Sequence, residues 1–359
     1  MRDIQPAGNS QLRLTIQRRL DHLTKPAGSL GRLEELALQY GLARGSAELK
    51  LARKAMFIFC ADHGVAAEGV SAYPSAVTAQ MARNFVRGGA AINVLCRQCG
   101  IDPRIVDVGV NTDFEPDLPI LARKIGRGTQ NFLKGPAMSE AQALASVEAG
   151  ILLAREAAGQ GYDILGAGEM GIGNTTAATA MLACFSGRDA GQLTGRGTGI
   201  TDAQLARKAE VVRQSLALHR PDPGDPMQVL AAVGGFEIGA IAGLIFGAAA
   251  AKVPVAVDGF IASVGALAAC RRQPSVLPYL FFSHLSAERG HAAALELMGA
   301  RPLLALELRL GEGTGAALAI SLIESAARLF TEMATFESAG VSQQIRSDPA
   351  ASGATGKTA

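Results

Sequence analysis

Short apolar runs recur along this chain, most of them separated by helix-like sequence, and each stops at a polar or glycine residue. Residues 55–60 run into Ala61-Asp62-His63-Gly64, residues 104–110 into Asn111, and residues 162–165 into Gly166. Residues 253–257 stop at Asp258-Gly259, residues 277–282 at Ser283-His284, and residues 304–310 at Gly311. Strands alternating with helices imply an α/β fold with a mostly parallel sheet and helices on both faces, because a parallel connection must cross back over the sheet. Ligands in such sheets bind outside the carboxyl ends of the strands, where the polar residues of these runs collect.

At 48% hydrophobic and 18% charged, 359 residues can bury a large core. A net charge of +2 gives no broad electrostatic case for nucleic acid. The most apolar helical stretch, residues 238–251, is too short to span a bilayer and reads as a core helix, so no membrane partner is expected. Five cysteines, an odd number in a long chain, suggest reduced thiols and a cytoplasmic location, and the N-terminus shows no apolar signal region. Cys96 and Cys99 lie within a helix-like run without a second pair, which favours packing over metal binding.

Residues 11–20 and 30–42 read as amphipathic helices, and a last helix covers 316–333. These ends are expected to form a small helical domain, from 1–50 and 316–341, beside an α/β domain over 51–315. Residues 342–359, rich in Ser, Gly, Ala and Thr, are expected to be a disordered tail.

Two segments share one pattern: a buried strand, a glycine turn carrying one carboxylate, then a helix start. The first contains Gly168, Glu169, Gly171, Gly173, Asn174, Thr175 and Thr176; the second contains Gly311, Glu312, Gly313 and Gly315. Each turn offers backbone N–H groups to an anion and places a Glu where a general base could act. A partly desolvated Glu312 would have a raised pKa, suited to a base near neutral pH. A third glycine loop, residues 194–199, carries Arg196 and precedes a helix bearing Lys208, both suited to phosphate. Ser286 offers a hydroxyl after a strand end, or a plain helix cap. Asp62-His63, Asp258, His284 and His291 are too scattered for a metal motif, so no metal is expected. A dinucleotide fingerprint fits poorly: Gly166, Gly168 and Gly171 have the spacing, but no acidic residue closes a second strand about twenty residues later. A nucleotide-dependent dehydrogenase is thus the weaker alternative, and a non-catalytic nucleotide-binding protein would need neither Glu.

Taken in order, these motifs resemble the nicotinate-nucleotide–dimethylbenzimidazole phosphoribosyltransferase family, often called CobT. The resemblance runs from Leu23-Thr-Lys-Pro-Ala-Gly-Ser-Leu-Gly-Arg to about Phe330. It includes Ala61-Asp-His-Gly-Val-Ala-Ala-Glu-Gly-Val-Ser71, Gly168-Glu-Met-Gly-Ile-Gly-Asn-Thr-Thr176, Ser283-His-Leu-Ser-Ala-Glu-Arg-Gly-His291 and Leu308-Arg-Leu-Gly-Glu-Gly-Thr-Gly315. It implies a Rossmann-like α/β domain, a small helical domain from both chain ends, a homodimer and no cofactor. It implies transfer of phosphoribose from nicotinate mononucleotide to 5,6-dimethylbenzimidazole, giving α-ribazole 5′-phosphate and nicotinate in cobalamin lower-ligand assembly. It carries the catalytic base onto Glu312 and a supporting role onto Glu169. Ser75 and Gln80 match the benzimidazole side, and Gly171, Gly173, Asn174, Thr175, Lys208 and Ser286 the phosphate side.

Overall fold

The computed structural model describes residues 4–197 and 199–342; the expected tail lies, beyond Ser342, outside the described residues. Six strands form one sheet: β1 (Lys54–Ala61), β2 (Asp102–Gly109), β3 (Leu121–Ala122), β4 (Ile164–Met170), β5 (Val255–Val257) and β6 (Leu280–Phe282). Their order is β3-β2-β1-β4-β5-β6, and every pairing is parallel. Phe57 of β1 registers with Arg104 of β2 on one side and Ala167 of β4 on the other. The chain thus winds outward in one direction from β1, then in the other from β4, as in Rossmann folds. The seam between them is where such sheets open a crevice at their carboxyl edge.

β1 is buried along its whole length because both faces are covered. Its side chains alternate between two cores. Phe57 and Phe59 enter a core shared with Val147, Val211, Val229 and Ile241. Met56 and Ile58 enter a core shared with Leu20, Phe85, Ile92 and Ile320. The second core holds the helices of both chain ends. Leu23 bridges Thr335, the Arg19 guanidinium donates to the Phe330 carbonyl at 2.7 Å, and the helix Thr314–Glu332 packs on the helix Arg32–Arg44. The apolar helix Phe236–Ala250 is buried from Phe236 to Ala249, and no described helix is long and apolar enough to cross a membrane.

Two expectations need correction, and one strand was not foreseen. Residues 304–310 are not a buried strand; only Leu304 makes a bridge, to His284, and Leu306 and Leu310 are more than half exposed. This extended segment runs parallel to the stretch that follows β6, taking hydrogen bonds from Leu285 N–H at Leu304 and from Ala287 N–H at Leu308. The first glycine segment does not begin as a loop: β4 continues through Gly166 and Gly168 to Met170. Both glycines are there for close approach. A methyl on Gly166 would lie 2.3 Å from Met56 Cε, and one on Gly168 would lie 2.5 Å from Gly313 N. The two-residue β3 had no apolar run to announce it.

Candidate active site

Glu169 is the penultimate residue of β4, and the turn after it reaches the helix Asn174–Ser186 through Gly173. Gly173 has φ +99°, so the helix starts directly from a left-handed residue. Glu169 accepts a hydrogen bond from Asn174 Nδ2, which fixes the carboxylate against this turn. The helix start borders a cavity of about 530 Å³ at the carboxyl edge of β4, β5 and β6. Behind the wall, Lys208 is buried and donates to Thr175 Oγ1 at 2.7 Å. Burial lowers the Lys208 pKa to about 8, with Glu288 opposing the shift. An N-terminal helix end backed by an ammonium is an anion-binding arrangement.

The second glycine turn is built differently. Gly311, Glu312 and Gly313 have φ +81°, +64° and +92°, three consecutive left-handed residues of which one is not glycine. Asp258, just past β5, accepts from Gly313 N–H at 2.9 Å and from Ala316 N–H at 3.0 Å. The anion that this helix N-terminus attracts is therefore a side chain of the chain itself. Gly315 leaves room for that arrangement, since a methyl there would fall 2.0 Å from His284 Nδ1 and 3.0 Å from Asp258 Oδ1. Asp258 and His284, distant in sequence, meet here as supports of the turn.

The Glu169 carboxylate lies against the second turn. A methyl on Gly311 would lie 2.5 Å from Glu169 Oε1, and one on Gly168 would lie 2.7 Å from the Glu312 carbonyl carbon. Burial, then Asp258 and Glu237, push the Glu169 carboxyl up to about 8, against the Asn174 hydrogen bond; Glu312 adds to the rise. Burial, then Asp258, push Glu312 up to about 7. Glu312 Oε2 is buried without a hydrogen-bond partner among the described residues. Two neighbouring carboxyls poised near neutrality suit proton transfer.

Glu169, Gly171, Gly173, Asn174, Thr175 and Ser286 line the cavity. Lys208 stands one residue behind Thr175. Glu312 stands behind the wall residue Gly311. Ser75 lines an adjoining cavity of about 400 Å³, to which Tyr73 also belongs. Gln80 is exposed on the helix Ala76–Arg87 and lines neither cavity among the described residues. Ser286 does not cap the next helix, which starts at His291 after Gly290; its hydroxyl accepts from Glu288 N–H at 3.2 Å.

Residues 5–341 match the family model described as Phosphoribosyltransferase. The chain belongs to this phosphoribosyltransferase family. It is 54% identical over 327 residues to the nicotinate-nucleotide–dimethylbenzimidazole phosphoribosyltransferase of Geotalea uraniireducens (strain Rf4), covering 91% of this chain and 93% of the relative. It is 54% identical over 342 residues to the protein of the same name from Chlorobium chlorochromatii (strain CaD3), covering 95% and 96%. The crystal structure of CobT from Thermus thermophilus superposes with a TM-score of 0.89 at 45% identity, covering 93% of this chain and all of that one.

Sequence reasoning passed over two contributors to this candidate site. Asp258 carried a usable signal, an Asp-Gly at a strand end, but its role as a cap for Gly313, 55 positions away, exists only in three dimensions. Glu288 lines the cavity with Oε2 unpartnered among the described residues, and a methyl on Gly195 would fall 1.9 Å from it. Nothing in the linear pattern ties Gly195 to Glu288.

Proposed function

We propose that this phosphoribosyltransferase moves phosphoribose from nicotinate mononucleotide to 5,6-dimethylbenzimidazole, the reactants its relatives' names give, and so serves cobalamin lower-ligand assembly. The observation that carries the reading is Glu312: a buried carboxyl raised to about 7, with one free oxygen, directly behind the cavity wall at Gly311. The leaving group is already a pyridinium, so it needs no protonation. What the site must supply is a competent nucleophile. Dimethylbenzimidazole has one N–H and one bare nitrogen. The Glu312 carboxylate takes the N–H proton while the other nitrogen forms a bond to C1′. The C1′–N bond to nicotinate breaks, and its electron pair discharges the pyridinium. Attack opposite the leaving group turns the β-nucleotide into an α-product, α-ribazole 5′-phosphate.

In this reading the Asn174 helix start, Thr175 and Lys208 take the phosphate, and Ser286 supports it from across the cavity. Glu169 faces the sugar, where a carboxylate stabilises positive charge developing at C1′. Ser75 and Gln80 belong to the benzimidazole side, and the homodimer carried over from the family belongs to the same proposal. The test is purified protein with nicotinate mononucleotide and dimethylbenzimidazole, with the product resolved by chromatography. Formation of α-ribazole phosphate and nicotinate in equal amounts is expected. No turnover under varied pH, temperature and substrate concentration sinks the reading.

A further inference from the structure

Beneath the Gly171–Gly173 turn lies a buried pair that the reaction above does not use. His63, just past β1, places Nε2 2.7 Å from Glu237 Oε1, and both side chains are fully buried. Glu237 sits in the first turn of the helix Phe236–Ala250, whose interior is otherwise apolar. A polar pair so deep costs desolvation, and removing one partner would leave the other without its hydrogen bond. His63 Nδ1 and Glu237 Oε2 have no hydrogen-bond partner among the described residues. Such a pair is poor as a stabiliser, which directs attention to what it touches.

It touches the glycine turn. A methyl on Gly171 would lie 3.3 Å from His63 Nε2, and one on Gly173 would lie 3.2 Å from His63 Cβ. From the other side, a methyl on Gly235 would lie 2.4 Å from His63 Cε1 and 2.7 Å from Glu237 Oε2. The imidazole is thus wedged between two glycine backbones, with its orientation fixed by one carboxylate. Above it, Gly171 O accepts from Asn174 N–H and Gly173 O from Thr176 N–H, the first bonds of the helix bordering the cavity. Asn174 in turn holds Glu169. The other acids near the pair are Asp62, which precedes His63 in the chain, and Glu169, which feels the Glu237 charge.

We propose that His63 and Glu237 are positioning residues: Glu237 orients the imidazole, and the imidazole sets the height of the Gly171–Gly173 turn that presents the phosphate-binding helix start. This rests on the phosphoribosyl reading of that turn. His63 also borders the adjoining cavity that holds Ser75, and Ile172 N–H of the turn donates to Thr78 Oγ1 at 3.1 Å, so the prediction is a defect much larger for the nucleotide, whose phosphate the turn itself presents, than for the benzimidazole.

The experiment is steady-state kinetics for each substrate with wild type, His63→Leu, His63→Gln and Glu237→Gln, with melting temperature and circular dichroism alongside. His63→Leu should raise the KM for nicotinate mononucleotide by about tenfold and leave that for dimethylbenzimidazole within about twofold. Glu237→Gln keeps a carbonyl acceptor for His63 and should stay within about threefold of wild type for both. If His63→Leu does not fold, His63→Gln carries the test and should raise chiefly the nucleotide KM. A soluble His63 variant with an unmoved nucleotide KM, or one that loses both substrates equally, overturns the proposal. So does Glu237→Gln matching the His63→Leu defect, which would make the pair's charge the cause. Wild type that fails to turn over refutes the reaction itself and not the positioning pair alone.

Discussion

Glu312→Gln should slow turnover and stabilise the fold at alkaline pH together. Burial, aided by Asp258, moves the Glu312 carboxyl from 4.5 to about 7, while in the unfolded chain it titrates near the ordinary value. Between these two values the folded chain binds a proton that the unfolded chain has released. The contribution of this group to stability is therefore full below its unfolded pKa and is lost as pH rises through the folded one. At about 1.4 kcal/mol per unit, ionised Glu312 costs the fold on the order of 3 kcal/mol above neutrality. Gln does not ionise, so the variant should match wild type near about pH 4.5 and exceed it by that order near about pH 8. Denaturant midpoints across that range read the gap directly. Wild-type kcat/KM should rise through neutrality as the base ionises, with an apparent pKa belonging to the coupled Glu169 and Glu312 carboxyls. The variant should lose roughly 100- to 10,000-fold in kcat, the usual span for a general base. A stability gap independent of pH would refute the raised pKa, and near-full activity would refute the base.

Lys208→Met should raise the nucleotide KM by about tenfold or more with little change in the benzimidazole KM, because a charge-assisted phosphate partner is removed. In wild type the same KM should climb above about pH 8, where Lys208 loses its proton. Asp258→Asn removes a like charge from both carboxyls, so the rising limb of the kcat/KM profile should move to lower pH; an unmoved limb would rule out Asp258 as a cause of the shifts. Gly168→Ala puts a methyl 2.5 Å from Gly313 N and should cost about 1–3 kcal/mol in denaturant unfolding, more than Gly187→Ala, where nothing lies within contact distance but φ is +67°.

The strands that were easy to find are those with buried, unbroken apolar runs. β1 announces itself because both its faces are covered, whereas β3 is one half-buried and one exposed residue with no pattern to detect. Residues 304–310 misled because leucine at alternate positions, Leu304, Leu306, Leu308 and Leu310, mimics a half-buried strand. Here the alternation belongs to an extended segment with an outward row, and two of those leucines stay exposed. Glycines signalled that something close would happen near residues 166–173, but not what: the partners are Met56, His63 and Gly313, each from another part of the chain. The same holds for the site. Glu169 and Glu312 are conspicuous between glycines, while Asp258 and the His63–Glu237 pair act across the sheet edge, where sequence separation carries no information.

The two glycine turns began alike and the fold gave them opposite electrostatic fates. Each places a helix N-terminus at the carboxyl edge of the sheet, and each such end attracts negative charge. At Gly313 that demand is met internally by both oxygens of Asp258. The turn is thereby fixed, and a substrate phosphate placed there would face a carboxylate already in position. At Asn174 the Glu169 carboxylate takes the side-chain amide and not the backbone end, and the Lys208 ammonium adjoins through Thr175. Under the proposed reaction the incoming anion would thus have one favourable end in the cavity, and the nucleotide would lie with its phosphate toward Thr175 and C1′ toward the Glu169 and Glu312 carboxyls. Asp258 has a second consequence. The carboxylate that closes the wrong phosphate site is also the charge that raises both Glu169 and Glu312. In the proposed mechanism one buried Asp would therefore orient the substrate by exclusion and poise the base by repulsion, which is why Asp258→Asn should disturb the pH profile and the helix start in one step.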